Sequence, residues 1–383
     1  MPAIGRGTVS DVQQSRPAAG EARLHSTNIG VGLICIGSVP RLVAQAHVSA
    51  LHALEATTLT AIGCVHDRGA WGAASPLFGC KAHDTPERLI ADPAVQLVVL
   101  ASRSLHDGEL ARTALLQEKP VLCEWPVAPG TADVVMLERL AERIGVPAFV
   151  ALTSRVDPVV NHARELIRAG HIGQLVSLNV HGTDTAEGKA AGAEAFGTPL
   201  AAMLRRAVAH TLDAALYAAG ETVCDVHATA SSAGDPPSPG SAAWPAGLQL
   251  AFNGRLQSGP ILSALFRRTG GQRRKFRIEI NGTKGDLVVF GSHGHPGAGI
   301  SKLISGYEGA RGSQELAVPE SDESAFASPA AANTARLYQR IAHDLHGLHE
   351  RGRTAPRLDE ASRLHRILDA IESSAQTGIS WRV

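Results

Sequence analysis

From Ile29 onward, short wholly apolar runs alternate with stretches of helical period. Ile29 to Ile36 is followed by a helical stretch at Val43 to Leu54, an apolar run at Leu59 to Val65 and a helical segment near Glu87 to Ile90. The alternation continues through Val95 to Leu100, a helix at Gly108 to Gln117, Pro120 to Cys123, a helix at Ala132 to Arg143, and Ala148 to Leu152. Strands without a polar face are what a parallel sheet covered on both sides requires, so residues 28–152 are expected to form an α/β domain. Residues 1–27 precede this pattern, carry scattered charges and no apolar core segment, and read as a flexible tail rather than an export signal.

Beyond residue 152 the texture changes. A helix at Pro158 to Ala169 leads into a strand at Leu175 to His181, and a helix at Leu204 to Ala219 ends at Gly220. Strands then dominate: Val226 to Ala230, Leu248 to Phe252, Ile261 to Arg267, Phe276 to Ile280, and Asp286 to Phe290 after an Asn281-Gly282 turn. Residues 153–383 are therefore expected to be an α+β domain with an open, largely antiparallel sheet. Ser231 to Ser241 and Ser292 to Ala331 read as mobile loops, with His293-Gly294-His295 exposed to solvent, and two helices, Thr334 to Leu348 and Asp359 to Ala375, close the chain.

Composition narrows the function. The 383 residues carry 36 basic and 36 acidic side chains, which disfavours nucleic acid as a partner, and no run reaches the ~18 apolar residues of a membrane span. Five widely spaced cysteines without a Cys-x-x-Cys pair suit a reducing cytoplasm. His343, His346 and His349 drift around a helix and do not make a metal site.

Several segments, in order, carry a resemblance: Gly32-Leu33-Ile34-Cys35-Ile36-Gly37 leading to Ala46-His47, Val121-Leu122-Cys123-Glu124-Trp125-Pro126, Ser154-Arg155-Val156-Asp157-Pro158, His210-Thr211-Leu212-Asp213, Asn281-Gly282-Thr283-Lys284-Gly285-Asp286-Leu287, and Arg336-Leu337-Tyr338. Together they resemble the glucose-fructose oxidoreductase and inositol dehydrogenase family (Gfo/Idh/MocA), in particular its branch of galactose-pathway repressor proteins. The resemblance implies an N-terminal Rossmann domain that binds NAD or NADP. It also implies a C-terminal domain that takes a small sugar- or polyol-like substrate and makes a homo-oligomer contact through its sheet. Carried onto this chain, the cofactor residues are Cys35, Ile36, Gly37, Ser38, Arg41, Asp67, Arg68, Ser102, His106, Glu124 and Trp125.

The departures matter. A dinucleotide turn uses glycines so that the backbone can approach the pyrophosphate. Here Cys35 stands at the first glycine, Val39 is β-branched, and Pro40 has no N–H to donate, whereas Arg41 offers a charge. Asp67 beside Arg68 leaves NAD against NADP open. Trp125 replaces the lysine of the family's Glu-Lys-Pro motif and Arg206 replaces its aspartate, so His210 is the expected general acid/base, with Asp213 orienting it. Trp125 would either stack on a ring of the ligands or fill the lysine's space. Arg206 could receive an anionic substrate, while Arg205 reads equally as a solvated helix start. A redox enzyme is one reading; a non-redox isomerase, lyase or cyclase in the same pocket, or a ligand-sensing regulator, are the others.

Overall fold

A computed structural model describes residues 28–35, 41–64, 78–101, 106–185, 196–232, 247–269, 275–307, 312–318, 326–347 and 353–383. The first half holds strands β1 (Ile29–Cys35), β2 (Thr57–Cys64), β3 (Lys81–His83), β4 (Leu97–Leu100), β5 (Val121–Cys123) and β6 (Ala148–Val150). All pair in parallel, in the order β3-β2-β1-β4-β5-β6. The order reverses between β1 and β4, and the crevice beyond the carboxyl ends of those strands is the switch point at which such sheets bind ligands.

Side chains of β1 alternate between the two sides. Val31, Leu33 and Cys35 join one buried cluster and Ile34 the other. The first cluster is roofed by helices α1 (Arg41–His52) and α8 (Pro329–Leu345), the second by α2 (Pro86–Ala91), α3 (Asp107–Leu116) and α4 (Thr131–Ile144). At Gly32 a Cβ would lie 2.6 Å from Leu89 and 2.7 Å from Val95, so a residue without one lets α2 close on the sheet. Helix α8 comes from the far end of the sequence and puts Leu337, Tyr338 and Ile341 into the core beneath β1. The first sheet is thus completed by the chain's return.

Thr153–Val156 forms a single 3₁₀ turn, followed by α5 (Pro158–Arg168). Asp157 caps α5 by accepting from the backbone N–H of Val159 and Val160 at 2.9 and 3.2 Å, with Pro158 in the first turn. Strand β7 (Leu175–Thr185) then opens a nine-stranded sheet with β8 (Val223–Ser231), β9 (Gln249–Leu256), β10 (Ile261–Thr269), β11 (Phe276–Gly282), β12 (Gly285–Gly291), β13 (Ser301–Tyr307), β14 (Gln314–Leu316) and β15 (Trp381–Arg382). Only β7 and β10 pair in parallel in it; the other pairings are antiparallel. Helix α6 (Pro199–Met203) runs through a π-helical turn, Leu204–Val208, into α7 (Ala209–Ala219), which stops at Gly220 with φ 74°. Helix α9 (Leu358–Thr377) packs against both β8 and α4 and joins the halves.

Two expectations change. The hairpin forms, but Asn281 pairs with Asp286 within the ladder, so Thr283-Lys284 make its tip. Gly282 instead allows close approach, since a Cβ there would lie 2.1 Å from the Ile172 carbonyl oxygen. The stretch Ser292 to Ala331, read as a mobile loop, contains β13 and β14; Leu303 and Ser305 are fully buried in β13, where Ser305 breaks the apolar alternation. Its alternation was hidden by low apolar content.

Candidate functional site

The site is built where the carboxyl ends of the first sheet meet α7 and α9. β5 ends at Cys123, whose thiol burial pushes up. Glu124 follows, and its Oε1 lies 3.1 Å from Nε2 of His47 in α1. The other ring nitrogen of His47 lies 2.8 Å from the Tyr338 hydroxyl of α8. Both His47 and Tyr338 are buried, so Glu124, expected at the cofactor, also ties α1 to α8 through a polar chain. Burial raises the Tyr338 hydroxyl well above its ordinary range, with Glu124 and Cys35 adding to it, which leaves a neutral donor to that chain.

Trp125 is 1% exposed, and its Nε1–H donates to the Arg205 carbonyl at 2.7 Å. Its ring meets His365 of α9 with centroids 4.7 Å apart and His210 edge-on at 6.5 Å. Trp125 is thus packed against His365, His210 and the Arg205 backbone. His365 has no exposure, and neither ring nitrogen has a hydrogen-bond partner. Burial, with the Arg205 charge, lowers it to about 3, so it stays neutral.

His210 sits in the first turn of α7, 9% exposed, with Nδ1 buried. Its ring stacks on that of His295, centroids 4.2 Å apart and planes 13° from parallel. His295 was expected in solvent, and that expectation is overturned. The loop that carries it is anchored: the Gly297 N–H donates to Asp157 Oδ2 at 3.2 Å, Asn333 Nδ2 donates to the Gly297 carbonyl at 3.2 Å, and the Ser154 hydroxyl donates to the Pro296 carbonyl. Because Pro296 O can only accept, the 2.6 Å contact from His295 Nδ1 places a proton on that nitrogen. Burial raises the Asp157 carboxyl while its backbone donors pull the other way.

Asp213, expected to orient His210, accepts instead from Arg155, with Nε at 2.9 Å and Nη2 at 2.7 Å. Arg155 also pairs with Glu360. Burial opposes the Arg155 charge, but Asp213 and Glu360 outweigh it and hold the guanidinium above its ordinary value. Arg205, read as a solvated helix start, is buried and paired with Asp369 at 2.9 Å and Glu372 at 3.5 Å. Arg206 reaches Asp184 at 3.2 Å, and Arg268 approaches the same carboxylate at 3.9 Å.

Of the cofactor residues, Cys35 ends β1 fully buried, its thiol pushed up to about 12 by burial and then by Cys64, Asp107 and Glu124. His106 is exposed just before α3. Ile36, Gly37, Ser38, Asp67, Arg68 and Ser102 lie outside the described residues, as does the side chain of Arg41, whose backbone starts α1. The first turn of α1 holds no acidic residue, which fits a helix end aimed at a pyrophosphate. His295 and His365 were not singled out from sequence, and Arg155 stood in the Ser154–Pro158 motif without a role. His365 left a signal as a polar residue inside the apolar stripe Ala361, Leu364, Leu368.

Residues 29–152 match the oxidoreductase family described as having an NAD-binding Rossmann fold, and residues 160–288 match the GFO/IDH/MocA C-terminal domain. Among curated relatives, dehydrogenase aclE of Aspergillus oryzae is 33% identical over 104 residues, 27% of this chain and 28% of the relative. Inositol 2-dehydrogenase of Mycolicibacterium smegmatis is 28% identical over 214 residues, 55% of this chain and 58% of the relative. The matched stretches thus span between about a quarter and three fifths of those relatives' lengths. Solved structures cover more: an NAD binding oxidoreductase from Klebsiella pneumoniae superposes with TM-score 0.76 at 19% identity over 93% of this chain and 99% of its own. A super-repressor mutant of Gal80p from Saccharomyces cerevisiae gives 0.77 at 20% over 93% and 98%. These two likenesses establish the fold. No described helix is long and apolar enough to cross a membrane.

Proposed function

The chain belongs to the Gfo/Idh/MocA oxidoreductase family, and we propose that it is an NAD(P)-dependent oxidoreductase of a small sugar- or polyol-like hydroxyl or carbonyl compound. The observation that carries this reading is the seat of His210, at the edge of the tryptophan that replaces the family's lysine and stacked on His295. A hydroxyl oxidised there needs a group to take its proton, and His210 supplies it through Nε2, since Nδ1 is buried. NAD or NADP, when bound, supplies the hydride acceptor. The chain contributes the α1 helix end with Arg41, and the turn Ile36, Gly37, Ser38 before it, to hold the pyrophosphate. Asp67 and Arg68 decide between the two cofactors, and Ser102, His106 and Glu124 complete the proposed cofactor residues. His295 fixes one face of the His210 ring, and the anchored loop excludes water from it. In the reverse direction His210 returns the proton to the nascent alkoxide.

The second reading is a non-redox isomerase, lyase or cyclase in the same pocket. It is favoured by Trp125 and Arg206, which stand where the family's lysine and aspartate would be, and by Pro40 in the turn. A ligand-sensing regulator is the remaining alternative, with the Gal80p-like fold in its support. The open sheet face, where Ile261 and Leu265 are 62% and 41% exposed, is proposed as the contact with a second copy. Five free thiols suit a cytoplasmic setting.

Calorimetric titration with NAD, NADH, NADP and NADPH tests the proposal, followed by nicotinamide absorbance assays on a panel of polyols and sugars. Tight binding with substrate-dependent reduction is expected. Absence of binding by all four would remove the redox reading and leave the non-redox enzyme.

A further inference from the structure

We propose that a second ligand site, for a phosphorylated small molecule, lies in the arginine-lined cavity between α5, α8 and residues 353–360, separate from the His210 cluster. The cavity has a volume of about 720 Å³, within the range of small-molecule sites. Arg155, Arg164, Arg168, Arg336, Arg340 and Arg353 line it, together with His343, and among the described residues Glu360 is the one carboxylate in its lining. The chain as a whole balances 36 basic against 36 acidic residues, so this concentration is local and not a consequence of composition. None of His210, His295, Trp125 and Glu124 borders the cavity.

Two helices each present a pair of arginines at i, i+4 spacing: Arg164 and Arg168 on α5, Arg336 and Arg340 on α8. Like charges at that spacing repel and destabilise a helix, so facing two such pairs across one cavity is unfavourable unless an anion enters. The arginines are also held in place. Arg164 lies 4.2 Å from the Tyr217 ring centroid and donates to the Tyr217 carbonyl. Arg340 donates to Asn161 Oδ1 at 3.1 Å and to the Thr354 carbonyl at 3.5 Å.

These neutral acceptors orient the guanidinium groups without cancelling their charge. Arg155 and Arg353 are paired with carboxylates, but among the described residues no ion pair joins Arg164, Arg168 or Arg340 to one. Burial chiefly holds the Arg164 guanidinium below its ordinary value; Tyr217 and Glu360 oppose this, and the Arg168 and Arg155 charges add to it. A phosphate ester brings about two negative charges and three acceptor oxygens, which several fork-shaped donors can share, whereas a lone carboxylate saturates one. The cavity is too small and too concave for a nucleic acid backbone.

Calorimetric titration of the full chain with inorganic pyrophosphate is the test, comparing the parent with Arg168→Glu, Arg340→Gln and Arg41→Ala. Arg168 is exposed, so its replacement leaves the core intact, and a thermal melt checks this. A pyrophosphate site is expected that Arg168→Glu and Arg340→Gln each weaken about tenfold or more, because each removes a charge-assisted contact. Arg41→Ala is expected to leave that site in place and to weaken only pyrophosphate held at the α1 helix end. No binding at millimolar pyrophosphate, equal affinity in Arg168→Glu, or a loss confined to Arg41→Ala would each overturn the proposal.

Discussion

The imidazole of His210 lies flat against that of His295, 4.2 Å between centroids, although 85 positions separate them in sequence. The contact exists because Asp157, Ser154 and Asn333 pin the Pro296-Gly297 backbone. If His210 moves the substrate proton, His210→Ala is expected to cost roughly 10²- to 10⁴-fold in turnover at unchanged cofactor affinity, and His210→Asn nearly as much. His295→Ala, which removes only the packing face, is expected to lower turnover less. Steady-state kinetics with the cofactor identified by calorimetry provides the check; parental rates in both His210 variants would make that histidine structural.

Trp125→Ala opens a cavity between α7 and α9 and orphans the Arg205 carbonyl. A loss of about 3–5 kcal/mol in urea-induced unfolding is expected. Trp125→Lys is expected to be similarly destabilised and not to gain activity, because the space is fully buried. Increased turnover in Trp125→Lys would show that the lysine's place had been kept open.

Much of this architecture is legible in sequence because its strands are apolar throughout. Ile29 to Cys35 and Leu97 to Leu100 could be read directly, and Gly220 marked a helix end by chemistry that acts locally. What escaped depends on contacts distant in sequence. β13 buries Leu303 in a run that mixes Lys302, Ile304 and Gly306 without a clear apolar alternation, and nothing near His295 signals the anchors of its loop.

His365 makes stability depend on pH. Its ring is neutral and buried in the folded chain, lowered to about 3, whereas in the unfolded chain it takes a proton near 6.5. Between those values the unfolded state binds more protons, so the contribution is complete above pH 6.5 and is lost as pH falls toward 3. The slope is at most about 1.4 kcal/mol per pH unit from this one group. His365→Phe, which keeps the contact with Trp125 but cannot be protonated, is expected to flatten the fall in denaturation midpoint between pH 6.5 and 4.5. An unchanged slope in this variant would assign the acid sensitivity to other groups.

Arg155 and Asp213 form the buried pair that fastens the 3₁₀ turn after β6 to helix α7, with Glu360 of α9 as the third member. Removing one partner leaves an uncompensated charge in a site where neither side chain is more than 13% exposed. Asp213→Ala is therefore expected to cost about 3–5 kcal/mol. Arg155→Lys keeps the charge but cannot supply two parallel N–H donors, and a smaller loss is expected. The distinguishing measurement is activity at a temperature where both variants remain folded. If Asp213 acts only by holding α7 through Arg155, the two variants lose turnover in proportion to their loss of stability, whereas Asp213 acting directly on the His210 imidazole would make Asp213→Ala far more damaging to turnover than its stability predicts.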